Sequence, residues 1–353
     1  MRRRCPSPMS APSPASRRFP PGVDGVEAVV LSNPGPAGGD LRLLDVPVPE
    51  PGPGEVLIEV AFGGCNFADT MMWRGTYPHP KPFPLVAGLE MSGRIARPGP
   101  GVTGLKPGQR VAALTENAGC FARFALADAA RVIPIPDAVG LDVAAAFPTQ
   151  ALTAWHMLHA VSPVRAGDVV LIHAIGGGVG LYLTQMAVAA GATVFGTVGS
   201  PGKQARAIGF GATAVIDRSG ADFVTGIAAL AGRPVDRLYD STGATILDRS
   251  FGLMRRLGHV VSYGEAEGRP LPNLWQQLVL RSLTFSRFHL GHVDFGSPLW
   301  RLGADAVTGA VADGNLAVPI EARFAMGDAP AMYRRLESRS VSGKLLVEIN
   351  ATL

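Results

Sequence analysis

The stretch DVVLIHAIGGGVG, Asp168 to Gly180, runs on into LYLTQMAVAAG, Leu181 to Gly191, and this passage decides the fold. A short apolar run, a glycine-rich turn and an apolar segment without breakers read as strand, turn and helix in that order. Such a turn lets backbone approach a pyrophosphate closely, and the helix N-terminus adds free N–H groups and the positive end of its dipole. The spacing is Ile175-x-Gly177-x-x-Gly180, so the first glycine of the usual dinucleotide fingerprint is missing. A tight turn alone would also account for the glycines, but the order of the flanking elements favours phosphate binding at Gly177, Gly178, Val179 and Gly180.

Toward the C-terminus, TVFGTV ends at Val198 without the acid that would hold the ribose of NAD. Gly199-Ser200-Pro201-Gly202-Lys203 follows, and the next strand, AVIDR, ends in Arg218. A hydroxyl and two cations near the ribose suit a 2′-phosphate and hence NADPH. The competing reading of Lys203 and Arg218 is solvated surface charge. Further strands are expected at RLYDST and HVVSYG, with SLTFSRF as a possible sixth. Crossover segments between them indicate a parallel, doubly wound sheet.

Toward the N-terminus, AAAFPTQALTAWHMLHA reads as helix. Before it, from about Val26 to Asp128, come short β-rich runs broken by Gly and Pro: EAVVL, LRLLDVPVP, GEVLIEVAFGG, MSGRIARPG, QRVAAL and CFARFALA. These indicate an antiparallel, barrel-like unit. The closing EARFAM, a helix through MYRRLESR, and KLLVEI are expected to return to it. The predicted division is therefore a tail over 1–22, a β-rich domain over 23–145 completed by 315–353, and a dinucleotide domain over 146–314, an α/β class overall.

Composition narrows the function. The 353 residues are 47% apolar and 17% charged, and no stretch is apolar for the roughly 18 residues that suggest a membrane span. The net charge of +4 is more than covered by five arginines in MRRRCPSPMSAPSPASRRFPPG, which reads as disorder. That segment lacks the apolar core of a secretory signal, and only Phe19 accompanies its arginines, so RNA binding gains no support. Met9 leaves room for a later start. Cys5, Cys65 and Cys120 form no C-x-x-C, which favours a reducing, cytoplasmic setting. His156 with His159, and His289 with His292, have no further ligands in sequence and read as packing or surface rather than metal sites.

At this point the chain resembles the zinc-independent medium-chain dehydrogenase/reductases of the quinone oxidoreductase, or zeta-crystallin-like, branch. The resemblance rests on Asn66-Phe67-Ala68-Asp69 through Arg74-Gly75-Thr76-Tyr77, on Gly88-Leu89-Glu90-Met91-Ser92-Gly93, and on Ala174 to Gly180. Leu152-Thr153, Tyr239 to Gly243, Val261 to Gly264 and Ser342-Gly343-Lys344 follow in the family's order. It implies a GroES-like catalytic domain beside a Rossmann NADPH-binding domain, an active site in the cleft between them, and a homodimer formed partly through the Rossmann sheet edge.

Zinc-dependent relatives carry Cys where Asn66 stands and His where Leu89 stands, so no zinc is expected. Cys65 lies one position off, and only Cys120 falls where a structural zinc lobe would need four cysteines. The resemblance places Thr153 and Asn66 toward the nicotinamide, and Ser200, Lys203, Arg218 and Arg339 around the 2′-phosphate. It puts Ser241, Thr242, Tyr263 and Arg287 in the cleft, and has His173 support the turn. Asn66 is a candidate donor to the acceptor carbonyl, or else a structural amide in a turn. Tyr77 is a candidate phenol near the cleft, or else a packing residue, and Met71 replaces a tyrosine found in some relatives. The implied chemistry is hydride transfer from NADPH to a quinone or similar conjugated carbonyl. An enoyl or enone reductase and a non-catalytic NADPH-binding sensor are the alternatives.

Overall fold

In the computed structural model, which describes residues 25–77, 82–269 and 271–353, the chain builds a mostly antiparallel β-system of two sheets and one parallel sheet. Expectations for Cys5, Met9 and the tail lie outside the described residues. The first system begins with β1 (Gly25–Leu31), β2 (Leu41–Pro47), β3 (Glu55–Cys65) and α1 (Phe67–Arg74). It continues through β4 (Leu85–Val86), β5 (Glu90–Pro98), β6 (Arg110–Leu114), β7 (Phe124–Asp128) and β8 (Val132–Pro134).

The helical stretch after it is broken in two, α2 (Leu141–Ala146) and α3 (Pro148–His156), with a π-turn over Met157–Val161. Pro148 explains the break that a single helix did not anticipate, because its ring clashes with the preceding turn and it has no N–H to donate. Proline is tolerated at the start of the second helix, where the N–H would be unpaired anyway.

The second system alternates strictly: β9 (Val169–His173), α4 (Gly178–Ala189), β10 (Thr193–Val198), α5 (Gln204–Gly209), β11 (Ala214–Asp217) and α6 (Phe223–Ala231). Then come β12 (Val235–Asp240), α7 (Ala244–Ser250), β13 (Met254–Ser262), α8 (Leu274–Val279), β14 (Thr284–Arg287) and α9 (Pro298–Ala312). The sheet order is β11-β10-β9-β12-β13-β14, with every neighbouring pair parallel. Its strands read as near-continuous apolar runs because helices cover both faces. Val169 and Leu171 turn to one apolar cluster, Val170 and Ile172 to the other.

The chain closes with β15 (Ile320–Ala325), α10 (Ala329–Glu337) and β16 (Lys344–Glu348). Strand β16 pairs antiparallel with β3, Leu345 opposite Cys65, so the C-terminus does return to the first β-system. That sheet runs β15-β16-β3-β5-β6-β8, with β7 also on β3. The fold is α/β, a GroES-like β-rich unit beside a Rossmann-type sheet, as expected.

Candidate active site

Ligand crevices in open parallel sheets lie beyond the carboxyl ends of the strands, where the strand order reverses. Here the reversal falls between β9 and β12. Between β9 and α4 the chain turns through Ala174, whose φ of 53° takes the left-handed region that the sequence pattern leaves without glycine. Gly180 is required by space: a Cβ there would lie 2.6 Å from the Ala174 carbonyl oxygen and 2.7 Å from Ile175 Cα. No side chain caps α4 at Gly177, which leaves its first N–H groups for an anion.

His173, wholly buried behind this turn, bonds Thr197 Oγ1 through Nδ1 and Ser250 Oγ through Nε2, both at 2.7 Å. Burial, and then Arg218, lower its pKa to about 3, so it is a neutral strut.

At the end of β10 four of the expected residues converge. Ser200 Oγ and Lys203 Nζ donate to the Arg339 carbonyl at 3.3 and 3.0 Å, and Arg218 Nη1 donates to Thr197 Oγ1 at 2.5 Å. Burial lowers the Lys203 pKa, with Glu321 opposing and Arg339 adding to the fall. Burial also lowers that of Arg218, against Asp240, Asp217 and Glu267, and Arg339 again depresses it. Burial is the leading cause in both, and the nearby Arg339 charge lowers each further, a positive field that a phosphate dianion would relieve.

Ser241, Thr242, Tyr263 and Arg287 follow along the same strand edge. The Thr242 hydroxyl is committed to buried Asp240 at 2.5 Å, and Arg287 is held by Glu265 and by the carbonyls of Ser262 and Phe288. Thr153 lies on α3. Beside it Gln150 packs on Gly178, and its Oε1 is buried without a partner at the mouth of the phosphate turn. Sequence reading passed over Gln150, although it stands in the same helix, three residues before Thr153.

On the other wall, Asn66 caps α1 and sits in a buried polar knot. Its Oδ1 accepts from Lys344 Nζ at 2.7 Å, and its Nδ2 donates to Glu90 Oε2 at 2.9 Å and weakly to the Gly64 carbonyl at 3.4 Å. Lys344 also bonds Glu90 Oε2, and Glu90 Oε1 accepts the Thr149 N–H at 2.8 Å, tying this wall to the helix that carries Thr153. Both amide hydrogens of Asn66 are thus engaged inside the protein, and donation to a substrate would require the amide to leave Glu90.

Asp69 accepts the Asn66 N–H at 2.7 Å, while burial raises its carboxyl to about 7 and leaves Oδ1 unpaired. Sequence reading assigned no role to Glu90 or Lys344, each a charge at the first position of its strand.

The positions of zinc ligands in related enzymes hold Asn66 and Leu89, and Leu89 packs on the apolar core. An ammonium already stands against the oxygens of Asn66 and Glu90, and among the described residues no three His, Cys, Asp or Glu gather to hold a metal. The residues do not fit a zinc ion. Cys65 and Cys120 are buried free thiols. His156 stacks on Trp300 at 6.0 Å, and His289 lies 5.1 Å from His292.

An antiparallel GroES-like unit whose wall faces the carboxyl edge of a doubly wound sheet defines the medium-chain dehydrogenase/reductase class. The family models agree: the alcohol dehydrogenase GroES-like domain matches residues 52–137 and the zinc-binding dehydrogenase domain matches 178–305. The chain belongs to this family, among its quinone-oxidoreductase-like members, and is an oxidoreductase.

It is 33% identical over 332 residues to a probable quinone oxidoreductase of Schizosaccharomyces pombe, covering 92% of this chain and 98% of the relative. A 2-haloacrylate reductase of a Burkholderia species is 32% identical, covering 86% of this chain and 93% of the relative. Among solved structures, a mycobacterial protein complexed with NADPH superposes with a TM-score of 0.83 at 32% identity, over 92% of this chain and 99% of the other. No helix among the described residues is long and apolar enough to cross a membrane.

Proposed function

We propose that this protein is an NADPH-dependent reductase that passes a hydride, without a metal ion, to a quinone or a similar conjugated carbonyl. The carrying observation is the convergence of Ser200, Lys203, Arg218 and Arg339 at the end of β10, where an acid would serve NAD. The mycobacterial relative with bound NADPH and the relatives named quinone oxidoreductase support the same reading. NADPH, when bound, supplies the hydride. The pyrophosphate would lie on Gly177, Gly178, Val179 and Gly180, with Thr153, Ser241, Thr242, Tyr263 and Arg287 lining the cleft. Asn66 and Tyr77 are the candidate groups for the reacting carbonyl.

The division into 23–145 with 315–353 and 146–314 is part of the proposal, supported by the parallel sheet sharing no strand pairing with the two sheets of the β-rich unit. So is a homodimer: β14 is the last strand of its sheet, and Leu257, Trp275 and Leu280 are 69%, 74% and 70% exposed. The 2-haloacrylate reductase relative favours a second reading, reduction of an activated C=C bond.

Titration of pure protein with NADPH and NADH by cofactor fluorescence, followed by addition of a quinone and an α,β-unsaturated ketone in parallel, tests the assignment. Tight NADPH binding with rapid quinone-dependent oxidation is expected. Preference for NADH would overturn the phosphate site. Oxidation by the enone alone would move the activity to C=C reduction.

A further inference from the structure

Tyr77 and His289 meet where the β-rich unit and the parallel sheet come together, the hydroxyl lying 3.0 Å from Nε2. Tyr77 follows α1 in the β-rich unit, and His289 follows β14 of the parallel sheet, so the contact joins the two walls. The imidazole's other nitrogen, Nδ1, accepts the backbone N–H of Gly291 at 3.1 Å. A neutral imidazole carries one hydrogen, and a nitrogen that accepts cannot be the one that holds it. The hydrogen is therefore on Nε2, His289 donates, and the Tyr77 oxygen accepts.

Burial, then His292 and Arg287, keep His289 below its ordinary pKa against the pull of Glu116, so the ring is neutral at pH 7. Burial, then Asp69 and Glu116, raise the Tyr77 pKa, so the phenol keeps its proton. With the oxygen accepting from His289, the hydroxyl hydrogen must point away from the imidazole. The Asn66 amide, by contrast, has its hydrogens on Glu90 and Gly64.

We infer that His289 is a positioning residue that turns the Tyr77 hydroxyl hydrogen into the cleft, making Tyr77 the donor of the proton that accompanies hydride reduction. This rests on the reductase reading above. The hydride, with its electron pair, comes from NADPH and goes to the conjugated acceptor. The O–H bond of Tyr77 breaks and its proton goes to the acceptor oxygen. The Nε2–H of His289 stabilises the phenolate until water returns a proton.

Ultraviolet titration of tyrosinate needs no turnover and comes first. The Tyr77 step, identified by its loss in Tyr77→Phe, should move up by about one pH unit in His289→Phe, because a hydrogen bond to the charged form is removed. His289→Gln, which keeps an N–H at similar reach, should restore most of the parent position. An unmoved step in His289→Phe overturns the inference.

Steady-state assays with a quinone follow. Tyr77→Phe and His289→Phe should each lower kcat, by about a hundredfold and about tenfold, within the usual range of general acid catalysis. The double variant should be no slower than Tyr77→Phe, with NADPH affinity unchanged in all. Losses that multiply, or that fall on NADPH binding, would overturn it. A parent protein that shows the titration shift but reduces no acceptor would sink the reductase reading instead.

Discussion

Lys344 donates to Glu90 inside the β-rich unit with their side chains 1% and 0% exposed, and together they hold both ends of the Asn66 amide. Lys344 begins β16 near the C-terminus, while Glu90 opens β5 and also accepts the N–H of Thr149 on α3. One ion pair thus fixes a candidate site amide, the last strand and the helix that enters the parallel sheet.

Removing one partner of a buried pair strands the other charge, at a cost of about 3–5 kcal/mol. Lys344→Met should therefore lower unfolding free energy by roughly this amount. The double variant Lys344→Met with Glu90→Leu should recover a large part of it, measured by urea denaturation. Equal losses in single and double variants would show that the pair itself, and not the stranded charge, sets the cost.

The proposed phosphate site predicts a cofactor-specific loss. Arg218→Ala should weaken NADPH binding by about tenfold or more, about 1.4 kcal/mol, and leave NADH nearly unchanged, because only the 2′-phosphate is affected. Lys203→Ala should act in the same direction. Fluorescence titrations with both cofactors decide this, and equal losses for the two would place these cations elsewhere.

Gly180→Ala should destabilise the protein by about 1–3 kcal/mol, since the new methyl meets backbone atoms that cannot rotate away. It should also weaken NADPH binding by displacing the start of α4. Thermal unfolding with and without NADPH separates these effects, and an unchanged melting temperature would contradict the close approach at Ala174.

Stability should depend on pH with two opposed signs. Burial holds Asp69 at about 7 when folded, above the unfolded carboxyl near 3.9, so the favourable contribution is full below about pH 4 and is lost as pH rises through 7. Asp69→Asn should therefore gain on the parent protein by up to about 1.4 kcal/mol per pH unit between those limits. His173 has the reverse sign. Its folded value of about 3 lies below the unfolded value near 6.5, so stability present above pH 6.5 is lost as pH falls toward 3. Urea melts of parent and Asp69→Asn across pH 4–8 test the first sign, and a constant difference would refute it.

Trp275→Glu should shift a dimer toward monomer in sedimentation velocity, because it replaces a large exposed apolar side chain with a charge. A monomeric parent protein would remove the homodimer from the proposal.

Most strands were legible because their physics is local. The runs VVLIH and TVFGTV are mainly apolar or β-branched over strand length, and Gly180 is demanded by atoms only five and six residues away. The break at Pro148 was legible too, and a helix drawn through it gave apolarity more weight than the missing N–H. The cationic cluster was half legible: Ser200, Lys203 and Arg218 lie in two neighbouring loops. Arg339 joins them from more than 100 residues away, through a backbone carbonyl that no side-chain pattern encodes.

By itself the sequence determined the two β-systems, the glycine-rich turn between β9 and α4 and the missing acid after β10, since each depends on residues near one another in the chain. Tertiary structure alone decided which groups Asn66, Glu90, Lys344, Tyr77 and His289 meet. Their partners lie 24 to 278 positions apart, and a hydrogen bond or buried charge is set by distance and direction in space, to which chain separation gives no guide.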